Sequence, residues 1–138
     1  MQLAAGYTIF VTDKLHDCRA FYERLGFHTV FAASWFVFLT LGESGFSVAF
    51  MAPDHPSSPP DPKAYVGDGA FLTLQVEDAA AAHEEIVSAG FALAYPLTSE
   101  RWGQRRFALI DPAGVWVDIV EQTAPAPGFW DPYLVNAE

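Results

Sequence analysis

The chain has 138 residues, half of them hydrophobic and 15% aromatic, which is enough apolar material for one folded domain and too much for a disordered one. Its formal net charge of −10, with only seven Lys and Arg residues, disfavours a nucleic-acid partner, because phosphate affinity comes from clustered basic side chains. No apolar run approaches the roughly 18 residues of a membrane span, and MQLAAGYTIF has no basic start, so a cytoplasmic protein without a membrane partner is expected.

The first half opens GYTIFVTDKLHDCRAFYERLGF. It reads as a strand of period-two alternation, an N-cap at Asp13, and a helix. Leu15, Cys18, Phe21, Tyr22 and Leu25 recur at helical spacing. Gly26 suits the left-handed position that ends a helix. Cys18 is the lone cysteine, so no intramolecular disulfide forms, and its apolar helical position predicts buried packing. Strands are predicted at His28–Ala32, Trp35–Gly42 and Phe46–Met51, with a turn at Glu43–Ser44. Five prolines in PDHPSSPPDP, Pro53 to Pro62, read as a linker.

The pattern then repeats in FLTLQVEDAAAAHEEIVSAGF. Asp78 is the N-cap, Ala79, Ala82, Ile86 and Ala89 form the apolar stripe, and Gly90 closes the helix. Strands follow at Leu93–Thr98, Gln104–Asp111 and Val115–Glu121, with turn chemistry at Asp111-Pro112-Ala113-Gly114. Both halves read β-α-β-β-β, an α+β fold. Module one is 6–52, the linker 53–69, module two 70–121 and the C-terminal tail 122–138.

Strand side chains alternate between faces. Aligning Asp13 with Asp78 puts Tyr7, Ile9, Val11, Leu72, Leu74 and Val76 under the helices. The same alignment puts Gly6, Thr8, Phe10, Thr12, Phe71, Thr73 and Gln75 on the opposite face. In the hairpins, Val37, Leu39, Leu41, Val48 and Phe50 form one core stripe. Phe107, Leu109, Val115, Val117 and Ile119 form the other. The opposite hairpin faces hold Phe36, Phe38, Thr40, Ser47, Ala49 and Met51, then Arg106, Ala108, Ile110, Trp116, Asp118 and Val120. Aromatics mixed with isolated polar groups are typical of ligand-binding concavities. The alternative is that these faces only pack, but such a contact seldom buries Arg106, Asp118 and Gln75 together. A bulge at the Asp111 turn would exchange the roles of Arg105 and Arg106. Trp102 either stacks on a planar ligand or packs on its own loop. The candidate binding residues are therefore Phe10, Phe36, Phe38, Phe71, Thr73, Gln75, Trp102, Arg105, Arg106, Trp116 and Asp118.

FVTD…FYERLGF, LQVED…AGF and WGQRRFALIDPAGVWVDIVE together resemble the glyoxalase / bleomycin resistance protein / dioxygenase (vicinal oxygen chelate) superfamily, over residues 6–121. The resemblance implies two tandem β-α-β-β-β modules forming a cup-shaped mixed sheet, helices on the outer face, and a homodimer. Metal-dependent members place a His or Glu at the start of each first strand and a Glu or similar ligand on each last strand. Those positions here hold Gly6, Phe71, Ala49 and Asp118. A single carboxylate is too few, since such sites need about three protein ligands. His16, His28, His55 and His83 match none of them. No metal and no cofactor are expected. This points to the metal-free branch, whose members sequester a drug such as bleomycin or mitomycin without chemistry. The expected function is binding of a planar or aromatic small molecule, as in antibiotic or toxin sequestration. A metal-free enzyme with Asp118, the weak catalytic candidate, or Glu121 as general base is the alternative, and a metal enzyme with other ligands a third. The tail, with Phe129, Trp130, Tyr133 and Leu134, is too apolar to stay in water and is predicted to dock over the cup or across a partner copy.

Overall fold

The computed structural model describes residues 1–53 and 63–135; residues 54–62 of the predicted 53–69 linker, with His55, and residues 136–138 lie outside the described residues. The element order is β1 (Thr8–Val11), α1 (Leu15–Arg24), β2 (His28–Ala32), β3 (Phe36–Thr40), β4 (Ser47–Met51), β5 (Phe71–Gln75), α2 (Ala79–Ser88), β6 (Tyr95–Glu100), β7 (Gln104–Ile110) and β8 (Trp116–Gln122). Each half is thus β-α-β-β-β. The chain divides into two compact units, Met1–Gly69 with Asp111–Val115, and Ala70–Ile110 with Trp116–Glu138. Among the described residues no helix is long and apolar enough to cross a membrane.

In the first unit the sheet order is β1-β4-β3-β2, with β1 parallel to β4 and the hairpins antiparallel. The parallel pair is reached through α1, the crossover that parallel strands require. α1 packs on β2, β3 and β4. Tyr22 of α1 meets Phe50 of β4 with ring centroids 5.3 Å apart, among fully buried Val37, Leu39 and Val48. Burying each such side chain contributes about 1.5–3 kcal/mol.

The phase of β1 differs from the expectation. Asp13 does not cap α1. Lys14 occupies the N-cap and its side chain accepts nothing; Thr12 Oγ1 instead accepts from the Lys14 N–H at 3.1 Å. Asp78 does cap α2, accepting from the Ala81 N–H at 3.0 Å. Lys14, not Asp13, is therefore the counterpart of Asp78. That one-residue offset turns every β1 side chain to the other face. Phe10 lies on the α1 side, 6% exposed and stacked on Phe50 at 5.9 Å, so it is core and not a binding residue. Tyr7 faces away from α1 and meets Phe38 edge-on at 4.8 Å. Ile9 and Val11 share its face, opposite Ala49 and Met51.

In the second unit the order is β5-β8-β7-β6, and α2 packs on β6, β7 and β8. Leu72, Phe107, Leu109, Val117 and Ile119 are buried on the α2 side. Glu121 Oε1 accepts from the Ala79 N–H at 2.9 Å, satisfying a free donor of the first turn of α2.

The β7–β8 tip, Asp111–Val115, belongs to the first unit. Asp111 Oδ1 accepts from the Ala113 and Val115 N–H groups, each at 2.9 Å. Its Oδ2 accepts from the Tyr22 hydroxyl at 2.7 Å. Burial holds the Asp111 carboxyl above its usual range, against the opposing pull of these donors. Burial, then the Asp111 charge, push the neighbouring Cys18 thiol up to about 12, so Cys18 is a neutral packing residue.

Candidate functional site

The face of the second sheet turned away from α2 brings most of the candidates together. β7 and β8 pair without interruption from Gln104 opposite Gln122 to Ile110 opposite Trp116. Directly opposed residues share a face, so Arg106, Ala108 and Ile110 lie with Val120, Asp118 and Trp116. β5 adds Phe71, Thr73 and Gln75, opposite Trp116, Asp118 and Val120. The irregularity in this sheet falls between Tyr95 and Thr98, in the β6–β7 pair, and not at the Asp111 turn. Arg105 is therefore opposite Glu121 on the α2 side and does not belong to the site.

Arg106 is the centre of this face. Its Nη1 donates to Asp118 Oδ2 at 2.8 Å. Its Nε and Nη2 donate to Glu100 Oε2 at 3.3 and 3.2 Å. The guanidinium carbon lies 4.9 Å from the Tyr95 ring centroid and 5.2 Å from that of Trp102. Partial burial works against the Arg106 charge, but hydrogen bonds and charges from Asp118 and then Glu100 outweigh it and hold the pKa above its ordinary value. Asp118, 3% exposed, also accepts from the Trp116 indole at 2.6 Å, so both its oxygens are engaged. Phe71 is 59% exposed beside this cluster, Thr73 and Gln75 are exposed as well, and Gln75 accepts from Gln122 at 3.4 Å.

Trp102 sits on the loop between β6 and β7. Its indole donates to Gln104 Oε1 at 2.9 Å. Gly103 has φ +109°, and a Cβ there would lie 2.9 Å from the Thr123 carbonyl oxygen. Only glycine lets the tail come this close. The tail docks on this loop. Thr123 N–H donates to the Gly103 carbonyl and Ala126 N–H to the Arg101 carbonyl, both at 2.8 Å. The Trp130 indole donates to the Trp102 carbonyl at 2.8 Å. Trp102, Phe129, Trp130 and Tyr133 line a shallow, open cleft of about 340 Å³.

Phe36 and Phe38 lie on the face of the first sheet turned away from α1, opposite Met51 and Ala49. Tyr95 and Glu100 were not among the sequence candidates, although Tyr95 shares the alternation of the predicted Leu93–Thr98 strand. Glu100 lies beyond that strand's predicted end.

With β1 rephased, the four positions that a divalent ion would use become Tyr7, Ala49, Phe71 and Asp118. Ala49 and Phe71 offer no donor atom, Tyr7 only a phenol, and Asp118 is held by Arg106 and Trp116. Among the described residues no three His, Cys, Asp or Glu side chains converge. These residues do not fit a metal ion. Glu121, the other base considered, lies on the α2 side and caps the helix.

A family model described as Glyoxalase/Bleomycin resistance protein/Dioxygenase superfamily matches residues 4–119. No curated protein matches the chain. A bleomycin-binding protein crystallised with bleomycin is 25% identical, with TM-score 0.59, over 88% of this chain and 99% of that one. A bleomycin resistance determinant encoded on transposon Tn5 is 23% identical, with TM-score 0.57, over 87% and 98%. A glyoxalase/bleomycin resistance protein/dioxygenase from Nocardioides is 15% identical, with TM-score 0.71, over 89% and 85%.

Proposed function

We propose that this chain, which belongs to the Glyoxalase/Bleomycin resistance protein/Dioxygenase superfamily, is a metal-free small-molecule-binding protein that takes a planar or aromatic ligand on the second sheet without turning it over. The state of Asp118 carries this reading. It is the one carboxylate at a position where the superfamily's chemistry would need a ligand or a base, and Arg106 and Trp116 occupy both its oxygens. A general base must come within reach of its proton, and Asp118, 3% exposed and paired with Arg106, presents almost no surface to a substrate. What remains accessible is aromatic surface with a few polar groups, the composition of a binding site. The bleomycin-binding relative at 25% identity supports drug sequestration as the specific role. Exposed Tyr7 and Phe31 on the first sheet favour a homodimer, since apolar patches of this kind are commonly covered by a second copy.

Titration of the tryptophan fluorescence with bleomycin and a panel of planar heteroaromatic drugs tests the reading, followed by mass spectrometry of the recovered ligand and metal analysis of the purified protein. The expected result is saturable quenching with an unaltered ligand and no stoichiometric metal. A chemically altered ligand, or one bound metal ion per chain, overturns it.

A further inference from the structure

We infer that the cleft between the Trp102 loop and the C-terminal tail is a separate site for an organic ammonium cation. Its lining is Trp102, Phe129, Trp130 and Tyr133. The two indole N–H groups are already spent, on Gln104 Oε1 and on the Trp102 carbonyl. The cleft thus offers mainly π faces. Beyond apolar contact, what such faces recognise is positive charge. The Trp102 ring already takes part in one such contact, with the Arg106 guanidinium at 5.2 Å.

The surrounding charge does not repel a cation. Arg106 is matched by Glu100 and Asp118 together. The tail from 122 to 138 carries Asp131 and Glu138 and no Lys or Arg, in a chain of net charge −10. Arg101 on the loop is exposed to solvent, where salt screens it. At about 340 Å³ the cleft is at the small end of ligand sites and suits a methylated ammonium group with a short chain. Three backbone-acceptor hydrogen bonds fix the tail to the loop, so the aromatic walls are preformed. Phe129, Trp130 and Tyr133 all lie beyond residue 119, where the family match ends. Trp102 also flanks Arg106, so what distinguishes this site from the ligand face above is its three tail residues.

The test compares choline with 3,3-dimethylbutan-1-ol, its uncharged isostere, by tryptophan fluorescence and by the indole signals in an ¹⁵N NMR spectrum, at constant ionic strength. Choline is expected to bind on the order of tenfold more tightly than the alcohol. Trp130→Leu combined with Tyr133→Leu is expected to abolish that preference while the protein still melts cooperatively. Val87→Ala, at an exposed position of α2 outside both the cleft and the Arg106 face, is expected to leave it unchanged. Equal affinity for the two probes, no saturable choline binding, or a preference that survives the double substitution overturns the proposal. Because drug binding to the Arg106 face is measured separately, failure here leaves that reading standing.

Discussion

Tyr22→Phe removes one oxygen and leaves the ring packing against Phe21, Phe27 and Phe50 in place. Asp111 Oδ2 then loses its Tyr22 donor, while Oδ1 keeps the Ala113 and Val115 N–H groups. Tyr22 is fully buried and Asp111 is 3% exposed, so water does not readily take the hydroxyl's place. A hydrogen bond to a charged group contributes about 1.5–3 kcal/mol, and that is the expected loss at neutral pH. The folded Asp111 pKa is raised, chiefly by burial, and the Tyr22 hydrogen bond opposes the rise. A raised carboxyl binds its proton more tightly in the folded state. Its favourable contribution is complete below the unfolded value of about 3.9 and is lost as pH rises through the higher folded value. Above that value the buried charge depends on its donors. A neutral acid loses only an ordinary hydrogen bond, about 0.5–1.5 kcal/mol. The substitution is therefore expected to cost about 1 kcal/mol more at pH 7.5 than at pH 3, below the unfolded value. Urea unfolding of both proteins at the two pH values measures it. A loss below about 0.5 kcal/mol at pH 7.5, or a larger loss at pH 3, refutes the assignment of Tyr22 as the donor that supports an ionised Asp111.

Arg106→Met leaves Asp118 with Trp116 alone and is expected to destabilise the protein by about 2–3 kcal/mol in urea, because a buried carboxylate loses its counter-ion; Arg105→Met, on the α2 side, is expected to cost well under half as much. Gly103→Ala forces a Cβ against the Thr123 carbonyl at positive φ and is expected to cost about 2–3 kcal/mol, with a red shift of tryptophan emission as the tail detaches. Deleting residues 128–138 removes the Trp130–Trp102 hydrogen bond and three walls of the cleft, and is expected to lower the melting temperature by several degrees. A truncated chain that melts like the full one argues against a docked tail.

The order of elements was legible because its signals are local. Aspartate at the α2 N-cap, glycine after each helix and period-two alternation each act within a few residues, and Gly26 and Gly90 do take positive φ. The phase of β1 was not legible. Asp13 looks like a cap, but Thr12 supplies the acceptor, and the two adjacent residues offer equivalent oxygens in the sequence. The expected phase put Phe10 in the site and Tyr7 under the helix, and the structure exchanges them. Arg105 and Arg106 could not be separated without the register of β7 against β8. Glu100 was missed because β6 starts and ends two residues later than its pattern suggested.

The two modules carry different chemistry on one backbone plan. The pair Arg106 opposite Val120 corresponds to Phe36 opposite Met51, and Ala108 opposite Asp118 to Phe38 opposite Ala49. Phe71, Thr73 and Gln75 correspond to Tyr7, Ile9 and Val11 once Lys14 is matched to Asp78. So the positions that hold an ion pair with aromatic flanks in module two hold only apolar side chains in module one. Buried charges are tolerated only as matched sets, and a lone Asp at 49 or Arg at 36 would have no partner. The polar set is therefore stable only as a unit, and it lies wholly in module two.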